Sequence, residues 1–462
     1  MTAVEAIPDI IQKLREGFAD GVLHDNSSRV AQLRQLRLML VEKEDLLIDA
    51  LVADLSKPRI EAYMTEIAFT INEIDHTLKN LDSWTKSEKV KVPITFKPAT
   101  AKIHPQPLGT VCIIAPWNYP VQLLLAPLVA ALAAGNTAVL KPSEVAPATA
   151  ELIAEILPEY ISQRTVAIVT GSVDETTALL EERFDHIFYT GNGTVARIVM
   201  AAAAKNLTPV TLELGGKSPA IVAADANIKV TARRIAWGKF VNAGQTCVAP
   251  DYVLVEDGAE QELLAALGSA VTEFFGEDPQ SSPDFTRIVN ERHHDRLTGL
   301  LDGGGYEATV TGGTADRSDR YIAPTVLAGV KPDAPLMGEE IFGPILPVLN
   351  VASIDEAIGF VNDREKPLAL YAFSTSDAVL SRIVDRTSAG GVTLNHALLH
   401  LAIPDQPFGG VGESGMGSYH GKMGFDVFSH RKPVLSKPLR PDPSIMYAPY
   451  TKMKKKLIRK FM

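Results

Sequence analysis

The chain has 462 residues, enough for two or three domains and a core that needs neither disulfides nor structural metal. With 46% hydrophobic and 22% charged residues it has the composition of a soluble globular protein, and its net charge of -10 opposes phosphate backbones, which excludes nucleic acid as an expected partner. Two cysteines, Cys112 and Cys247, are too few for a disulfide framework or a four-cysteine zinc site, and they point to free thiols in a reducing, cytoplasmic compartment.

The chain opens on Met1-Thr2-Ala3-Val4-Glu5, which has neither the basic start nor the apolar run of a signal peptide. Residues 1–82 read as helices, with apolar residues at three- and four-residue steps from Ile7 to Phe18 and from Ser28 to Asp49. Over 84–107, Lys86, Lys89 and Lys91 alternate with Val90 and Val92, and Pro93, Pro98, Pro105 and Pro107 follow. That pattern predicts an exposed ribbon of short edge strands. Leu108 to Gly135 carries no charge and is long enough to span a bilayer, but Pro116, Pro120 and Pro127 interrupt it. Two buried elements joined by a loop fit it better than one membrane helix.

From there strands and helices alternate. Strands are predicted at Thr110–Ala115, Thr137–Leu140, Thr165–Val169 and His186–Tyr189. Helices are predicted at Val121–Ala134 (ended by Gly135), after Ala146, over 173–182 and up to about Lys205. The pattern restarts after Leu212-Glu213-Leu214-Gly215-Gly216. It continues with strands at Pro219–Val222, Tyr252–Val255, 345–351 and 368–373, and helices at Val230–Val241, Glu260–Phe274 and 355–362. This is an α/β protein with a Rossmann-like first domain, a second α/β domain and a cleft between them near 212, where ligands are expected. His293-His294 lies in a polar stretch and reads as surface, not as a metal site. The tail, with Lys452, Lys454, Lys455, Lys456, Arg459 and Lys460 beside Leu457, Ile458 and Phe461, reads as a solvated, frayed end. Peripheral contact with an acidic membrane surface is its other reading.

Three places carry chemistry. Cys247, in Gly244-Gln245-Thr246-Cys247, has small neighbours in Gly244 and Ala249 that would admit a substrate. A thiol of ordinary pKa, about 8.5, needs a base or a lowered pKa to act as a nucleophile. Taken alone it is more often a buried, inert side chain, as Cys112 in Val111-Cys112-Ile113-Ile114 is expected to be. Glu213 is a charge inside the strand-like run Val210-Thr211-Leu212-Glu213-Leu214. Buried, it would have a raised pKa suited to a general base; on the solvent face it would be ordinary alternation. Gly191, Gly193 and Ala196 match G-x-G-x-x-G/A between a predicted strand and helix, where backbone and helix N-terminus can approach a pyrophosphate. A tight turn explains the same residues, and no acidic residue follows at the usual spacing. Lys141 and Glu144 end another strand and could hydrogen-bond ribose hydroxyls.

Together and in this order, these segments resemble the aldehyde dehydrogenase superfamily. The matches are Pro116-Trp117-Asn118-Tyr119-Pro120, Lys141-Pro142-Ser143-Glu144, the glycine loop, Leu212 to Lys217, Gly244 to Cys247 and Glu339-Glu340-Ile341-Phe342-Gly343-Pro344. The ending Pro407 to Gly412 with Gly415 to Gly421 resembles the class 3, fatty-aldehyde-type branch. The resemblance implies NAD(P)-dependent oxidation of aldehydes to acids, with NAD expected and NADP possible. Cys247 would attack the aldehyde, passing through a thiohemiacetal and a thioester. The Asn118 amide and the Cys247 N–H would hold the oxyanion, and Glu213 would activate water. Lys141, Glu144, Gly191, Asn192, Gly193, Gly215, Glu340, Phe342 and Trp117 would hold the cofactor, and no metal is expected. Tyr119, Leu394, His396, Leu399 and His420 would border an apolar entrance for medium- or long-chain aliphatic, or aromatic, aldehydes. The implied domains are 1–83 with 108–211 for the dinucleotide, 212–424 for catalysis, and 84–107 with 425–462 as a bridging, oligomerising element with its basic tail, in a homodimer. In the glycine loop Gly193 replaces the branch's Thr and Ala196 its last Gly. A cofactor-independent thiol esterase or thioesterase using the same Cys247 and Glu213, or a silent protein of the same fold, would also keep some of these residues. The first would turn over an activated ester without NAD.

Overall fold

A computed structural model describes residues 1–461. Helices α1 (Ile7–Ala19), α2 (Asn26–Glu42), α3 (Glu44–Leu55), α4 (Arg59–Ala62) and α5 (Ala68–Trp84) form the first layer. The continuous helix predicted over 28–49 is broken at Lys43, where Glu44 and Asp45 open α3 with negative charge on its N-terminal turn. Strands β1 (Glu88–Val90) and β2 (Thr100–Pro107) follow as exposed ribbon, as the alternating lysines and prolines required.

The next run is β3 (Thr110–Ile114), α6 (Gln122–Ala134), β4 (Thr137–Lys141), α7 (Pro147–Tyr160), β5 (Val166–Ile168), α8 (Val173–Glu181), β6 (His186–Thr190), α9 (Gly193–Ala204) and β7 (Val210–Glu213). The uncharged stretch at 108–135 is thus β3 and α6, each wholly buried, with Gly135 ending the helix at φ +96 where a side chain would strain. Among the described residues no helix is long and apolar enough to cross a membrane. Cys112 lies in β3 with no exposure, as core.

The second half contains β8 (Pro219–Val222), α10 (Ile228–Phe240), β9 (Tyr252–Glu256), α11 (Glu260–Phe275), α12 (Glu291–Asp302), β10 (Ala308–Thr311), β11 (Ala315–Asp316), β12 (Tyr321–Ile322), β13 (Thr325–Ala328), α13 (Pro335–Gly338), β14 (Ile345–Val351), α14 (Ile354–Asn362), β15 (Ala369–Phe373), α15 (Asp377–Arg386) and β16 (Gly391–Leu394). The chain ends with β17 (Gly415–Met416), α16 (Gly421–Val427), β18 (Ser429–Ser436) and α17 (Lys452–Phe461). The expected surface position of His293-His294 is corrected. Both are on α12, where His294 is buried on the side of Leu297 and Leu301 and His293 rests on the Trp117 ring, centroids 5.1 Å apart.

Four sheets result, the smallest being the antiparallel pair β11-β12. The first has order β17-β7-β6-β3-β4-β5, parallel except for β17, which is the doubly wound order of a dinucleotide fold with its switch point between β3 and β6. The second has order β10-β13-β14-β9-β8-β15-β16, parallel except at β10. The third, β1-β2-β18, is antiparallel and stands out from the body. The boundaries expected at 212 and 425 shift. Leu212 and Glu213 pair with Tyr189 and Thr190 on one side and with Met416 and Gly415 on the other, so β7 stays in the first sheet through Glu213. Helix α16 packs on α5 and α6, so the ribbon resumes only at Ser429. The tail is helical, with Met453 and the less exposed Leu457 four residues apart on one stripe between lysines. The side chain of Phe461 lies outside the described residues.

Candidate active site

The carboxyl ends of β3 and β6 flank the switch point, where a parallel sheet leaves a crevice. A cavity of about 1010 Å³ opens there and runs between the domains, lined by residues of both. The second sheet meets it with its strand starts: Gly215, Cys247 and Phe342 lie just upstream of β8, β9 and β14.

Cys247 reaches the cavity at the end of an unusual turn. Asn242 and Ala243 hold left-handed φ of +53 and +50, strained for residues with a Cβ, and Gly244 follows at +73. Only glycine fits at 244, because a Cβ there would stand 2.3 Å from the Gly343 carbonyl oxygen. Gln245 fixes the turn, donating from Nε2 to the carbonyls of Asn242 and Arg287 (both 3.0 Å) and accepting from the Val289 N–H at 2.9 Å. Asn118, buried across the domain boundary, donates from Nδ2 to the Gln245 carbonyl at 2.9 Å. An amide carries two N–H bonds, so the second is free to face the cavity beside the Cys247 backbone. The Tyr119 hydroxyl shares a 2.7 Å hydrogen bond with Thr246 Oγ1 next to the thiol.

Glu213 ends β7 with both carboxylate oxygens buried and without a partner, and its only strong influence is burial, which pushes its pKa well up. Glu340 is pushed up to about 8, by burial first and Asp251 second. The Cys247 thiol is raised by burial and then by the charges of Glu340 and Glu213. Two carboxylates are therefore close enough to oppose a thiolate. Burial favours the neutral form of all three groups, and raising the pH favours the thiolate of Cys247 and the carboxylate of Glu213.

The residues also fit a dinucleotide. Lys141, buried at the end of β4, donates to the Pro142 carbonyl at 2.9 Å and reaches the Glu144 carboxylate at 3.4 Å, leaving that exposed carboxylate beside the cavity. A Cβ on Gly191 would fall 2.3 Å from the Tyr189 hydroxyl, and one on Gly215 would fall 2.2 Å from the Glu340 carboxylate, so bare backbone lines the cavity at both points. Asn192 caps α9, accepting from the Val195 N–H at 3.0 Å. Trp117 and Phe342 meet edge to face, centroids 5.4 Å apart. The loop bearing Glu340 and Phe342 is tied down by Asp251, which accepts from the Ile341 N–H at 3.0 Å and from Lys217 at 2.6 Å.

Of the expected cofactor residues, Gly193 alone does not line the cavity; it opens α9 facing the Arg197 guanidinium. Ala196 is buried in the core behind it, so the methyl that replaces the usual glycine is accommodated. Of the expected entrance residues, Tyr119, Leu399 and His420 line the cavity. Leu394 and His396 do not: Leu394 ends β16 facing out, and His396 rests against the outer side of Trp237, centroids 5.7 Å apart. His420 is packed among Phe69, Phe408 and Tyr419, and burial lowers its pKa to about 3, leaving it neutral. Motif reading does not assign Met64, Phe69, Trp237 and Phe408 to the site, and all four line the cavity as part of its apolar wall. Met64, Phe69 and Trp237 come from helical segments without a local signature, whereas Phe408 lies in the Pro407–Gly412 motif, which signals the branch and not the wall. Among the described residues no group of His, Cys, Asp and Glu could hold a metal.

Comparison with known proteins agrees with this geometry. The model of the aldehyde dehydrogenase family matches residues 2–434. The human aldehyde dehydrogenase family 3 member B1 is 50% identical over 432 residues, 94% of this chain and 92% of its own length. The rat dimeric NADP-preferring aldehyde dehydrogenase is 48% identical over 436 residues, 94% of this chain and 96% of its own. A solved structure described as the substrate-bound state of Staphylococcus aureus AldH superposes with a TM-score of 0.96 at 45% identity, covering all of both chains.

Proposed function

Because this chain belongs to the aldehyde dehydrogenase family and catalyses NAD(P)-dependent oxidation of aldehydes, we propose that Cys247, Asn118 and Glu213 carry the reaction on medium- or long-chain aliphatic, or aromatic, aldehydes. The observation that carries this reading is one cavity lined by a thiol, an amide, an unpartnered carboxylate and an apolar wall. The relatives carry dehydrogenase names, which leaves the cofactor-free esterase reading without support.

The thiolate of Cys247, formed as the thiol gives its proton to solvent, adds through Sγ to the aldehyde carbon, and the oxygen, now anionic, takes hydrogen bonds from the free Asn118 N–H and the Cys247 backbone N–H. NAD(P), when held there, would supply the hydride-accepting chemistry, and the acyl group would remain on Cys247 as a thioester. Glu213 takes a proton from the water that attacks the thioester carbon, the C–S bond breaks, and acid and thiol are released. Its two unpartnered oxygens support this role, since a buried acceptor without a protein donor has an opening for water. Lys141 and Glu144 would hold the adenosine ribose and Glu340 the nicotinamide ribose, with Gly191, Asn192 and Gly215 giving close backbone and Trp117 and Phe342 flanking the ring. The Glu144 carboxylate opposes a 2′-phosphate and favours NAD.

The deciding assay is an aldehyde series of rising chain length, with benzaldehyde, run with NAD and with NADP. Catalytic efficiency is expected to climb with chain length as each methylene enters the wall of Met64, Phe69, Trp237 and Phe408, and to be higher with NAD. Equal rates for acetaldehyde and a ten-carbon aldehyde would defeat the substrate assignment.

A homodimer is part of the same reading. The β1-β2-β18 sheet projects from the body with unpaired edges, which soluble proteins cover. The α17 helix, strongly basic on a chain of net charge -10, is suited to anionic lipid through its lysines and its Met453–Leu457 stripe. Light scattering should give about twice 49.8 kDa for the free chain. The same chain should sediment with phosphatidylglycerol vesicles, stay free of phosphatidylcholine vesicles, and detach in about 0.5 M salt. A chain that ignores phosphatidylglycerol at low salt would refute the membrane assignment.

A further inference from the structure

One short segment, 57–66, reaches both halves of the oxyanion site. Lys57, fully buried, donates to Glu66 at 2.6 Å and to the Asn118 carbonyl at 3.2 Å, and its ammonium lies 4.3 Å from the centre of the Tyr119 ring. Glu66 Oε2 in turn accepts from the Val121 and Gln122 N–H groups, both at 3.0 Å, pinning the start of α6 just beyond Asn118. Five residues earlier, Glu61 Oε1 accepts from the Asn242 N–H at 2.9 Å and from Thr286 Oγ1 at 3.4 Å. Asn242 then bridges the halves: its side-chain Nδ2 donates to the Asn118 carbonyl at 2.9 Å and to the Gln245 carbonyl at 3.2 Å. A π-turn over Tyr63–Ile67 adjoins the two carboxylates, an irregularity that recurs at functional sites.

We propose that Glu61 is a positioning residue for the oxidation: its carboxylate oxygen holds the left-handed Asn242–Ala243 turn and so sets the Cys247 thiol and backbone N–H in register with the Asn118 amide. The turn needs such a hold. Two consecutive non-glycine residues at positive φ persist only where surrounding bonds over-determine them, and the Asn242 N–H has Glu61 as its acceptor from another element. The arrangement solves a problem of the two-domain design. Asn118 belongs to the first sheet's β3–α6 connection and Cys247 to the second sheet's α10–β9 connection, so neither domain alone fixes their separation. Asn118 and Asn242 bond directly across the boundary, and the 57–66 segment braces both ends of that contact, with Lys57 and Glu66 on one side and Glu61 on the other. Burial pushes the Glu61 carboxyl up to about 7 against the attraction of Lys57, so an acceptor oxygen is required more than a charge.

This inference rests on the catalytic roles proposed above, and its test is separable from them. Alkylation of Cys247 by iodoacetamide, followed by peptide mass, reads the turn without any turnover, so it responds to Glu61 even in a chain that oxidises no aldehyde. Glu61→Ala is expected to lower both the alkylation rate and kcat about tenfold to a hundredfold while leaving KM for aldehyde and NAD(P) within about threefold, since small misplacement of a reacting group acts on the chemical step. Glu61→Gln keeps Oε1 and should restore both to within about threefold of the parent. Parent-like alkylation by Glu61→Ala would overturn the proposal, as would a Glu61→Gln variant as impaired as Glu61→Ala. Should Glu61→Ala fail to fold, Glu61→Asp decides: its shorter reach must slow alkylation in a chain with a parent-like melting midpoint, and an unchanged rate overturns the proposal.

Discussion

Cys247→Ala should abolish aldehyde oxidation, with kcat falling by about 10⁴-fold or more, as removal of a covalent nucleophile does. The side chain is half-buried against the core but small, so the variant should keep its melting midpoint and bind NAD(P) as the parent does. Formation of reduced nicotinamide in the presence of a good aldehyde is the measurement. A variant within tenfold of the parent would remove the sulfur from the mechanism. The other thiol is the internal control: Cys112 is fully buried in β3, and its replacement by Ser or Val touches packing alone.

Glu213→Gln is expected to split the reaction in time. Acylation should proceed, while water attack slows by about 10²–10⁴-fold, so an acyl adduct accumulates and is visible by intact mass after one rapid turnover. Glutamine is nearly isosteric, and it also removes the cost of burying an unpartnered carboxylate, so the variant should be at least as stable as the parent. The parent's pH profile follows from signs. Burial raises the folded-state pKa of Glu213, and a base works only when deprotonated, so kcat should climb as pH rises through that raised value. Cys247 is raised by burial and then by the charges of Glu340 and Glu213, so its thiolate fraction also grows with pH. In Glu213→Gln the deacylation component of the climb should vanish. No adduct, with kcat within twofold, would exclude Glu213 as the base.

Much of this was readable before any coordinates. The alternation of apolar strands with Gly- and Pro-bounded helices over 108–205 predicted every element of the first sheet's core, because buried parallel strands and their helices leave separate periods in the sequence. Lys141, Glu144, Gly191 and Glu213 break the local pattern and stand out by themselves, whereas Trp117, Asn118, Gly215, Glu340 and Phe342 are legible only through the family resemblance. What could not be read was contact made through packing. Phe69 on α5 and Trp237 on α10 look like ordinary amphipathic residues, and only the approach of the two domains turns them to one wall. Leu394 and His396 were placed at the entrance by nearness in sequence to Leu399. The β16 end turns sharply, with Asn395 and Leu398 at positive φ, and carries them to the other side. The Glu61–Asn242 bond joins positions 181 apart and has no sequence signature at all.

The short strand β17 has a mechanical meaning. Because Gly415 and Met416 return to lie beside Glu213 and Leu212, the chain leaves the first sheet at one edge and re-enters it at that same edge. The second domain is thus an insertion fastened by two crossovers that emerge side by side, like both leaves of a single door hinge. Glu213, the last residue of β7, stands at that double crossing, so the cavity's unpartnered carboxylate is anchored where both connections between the lobes meet.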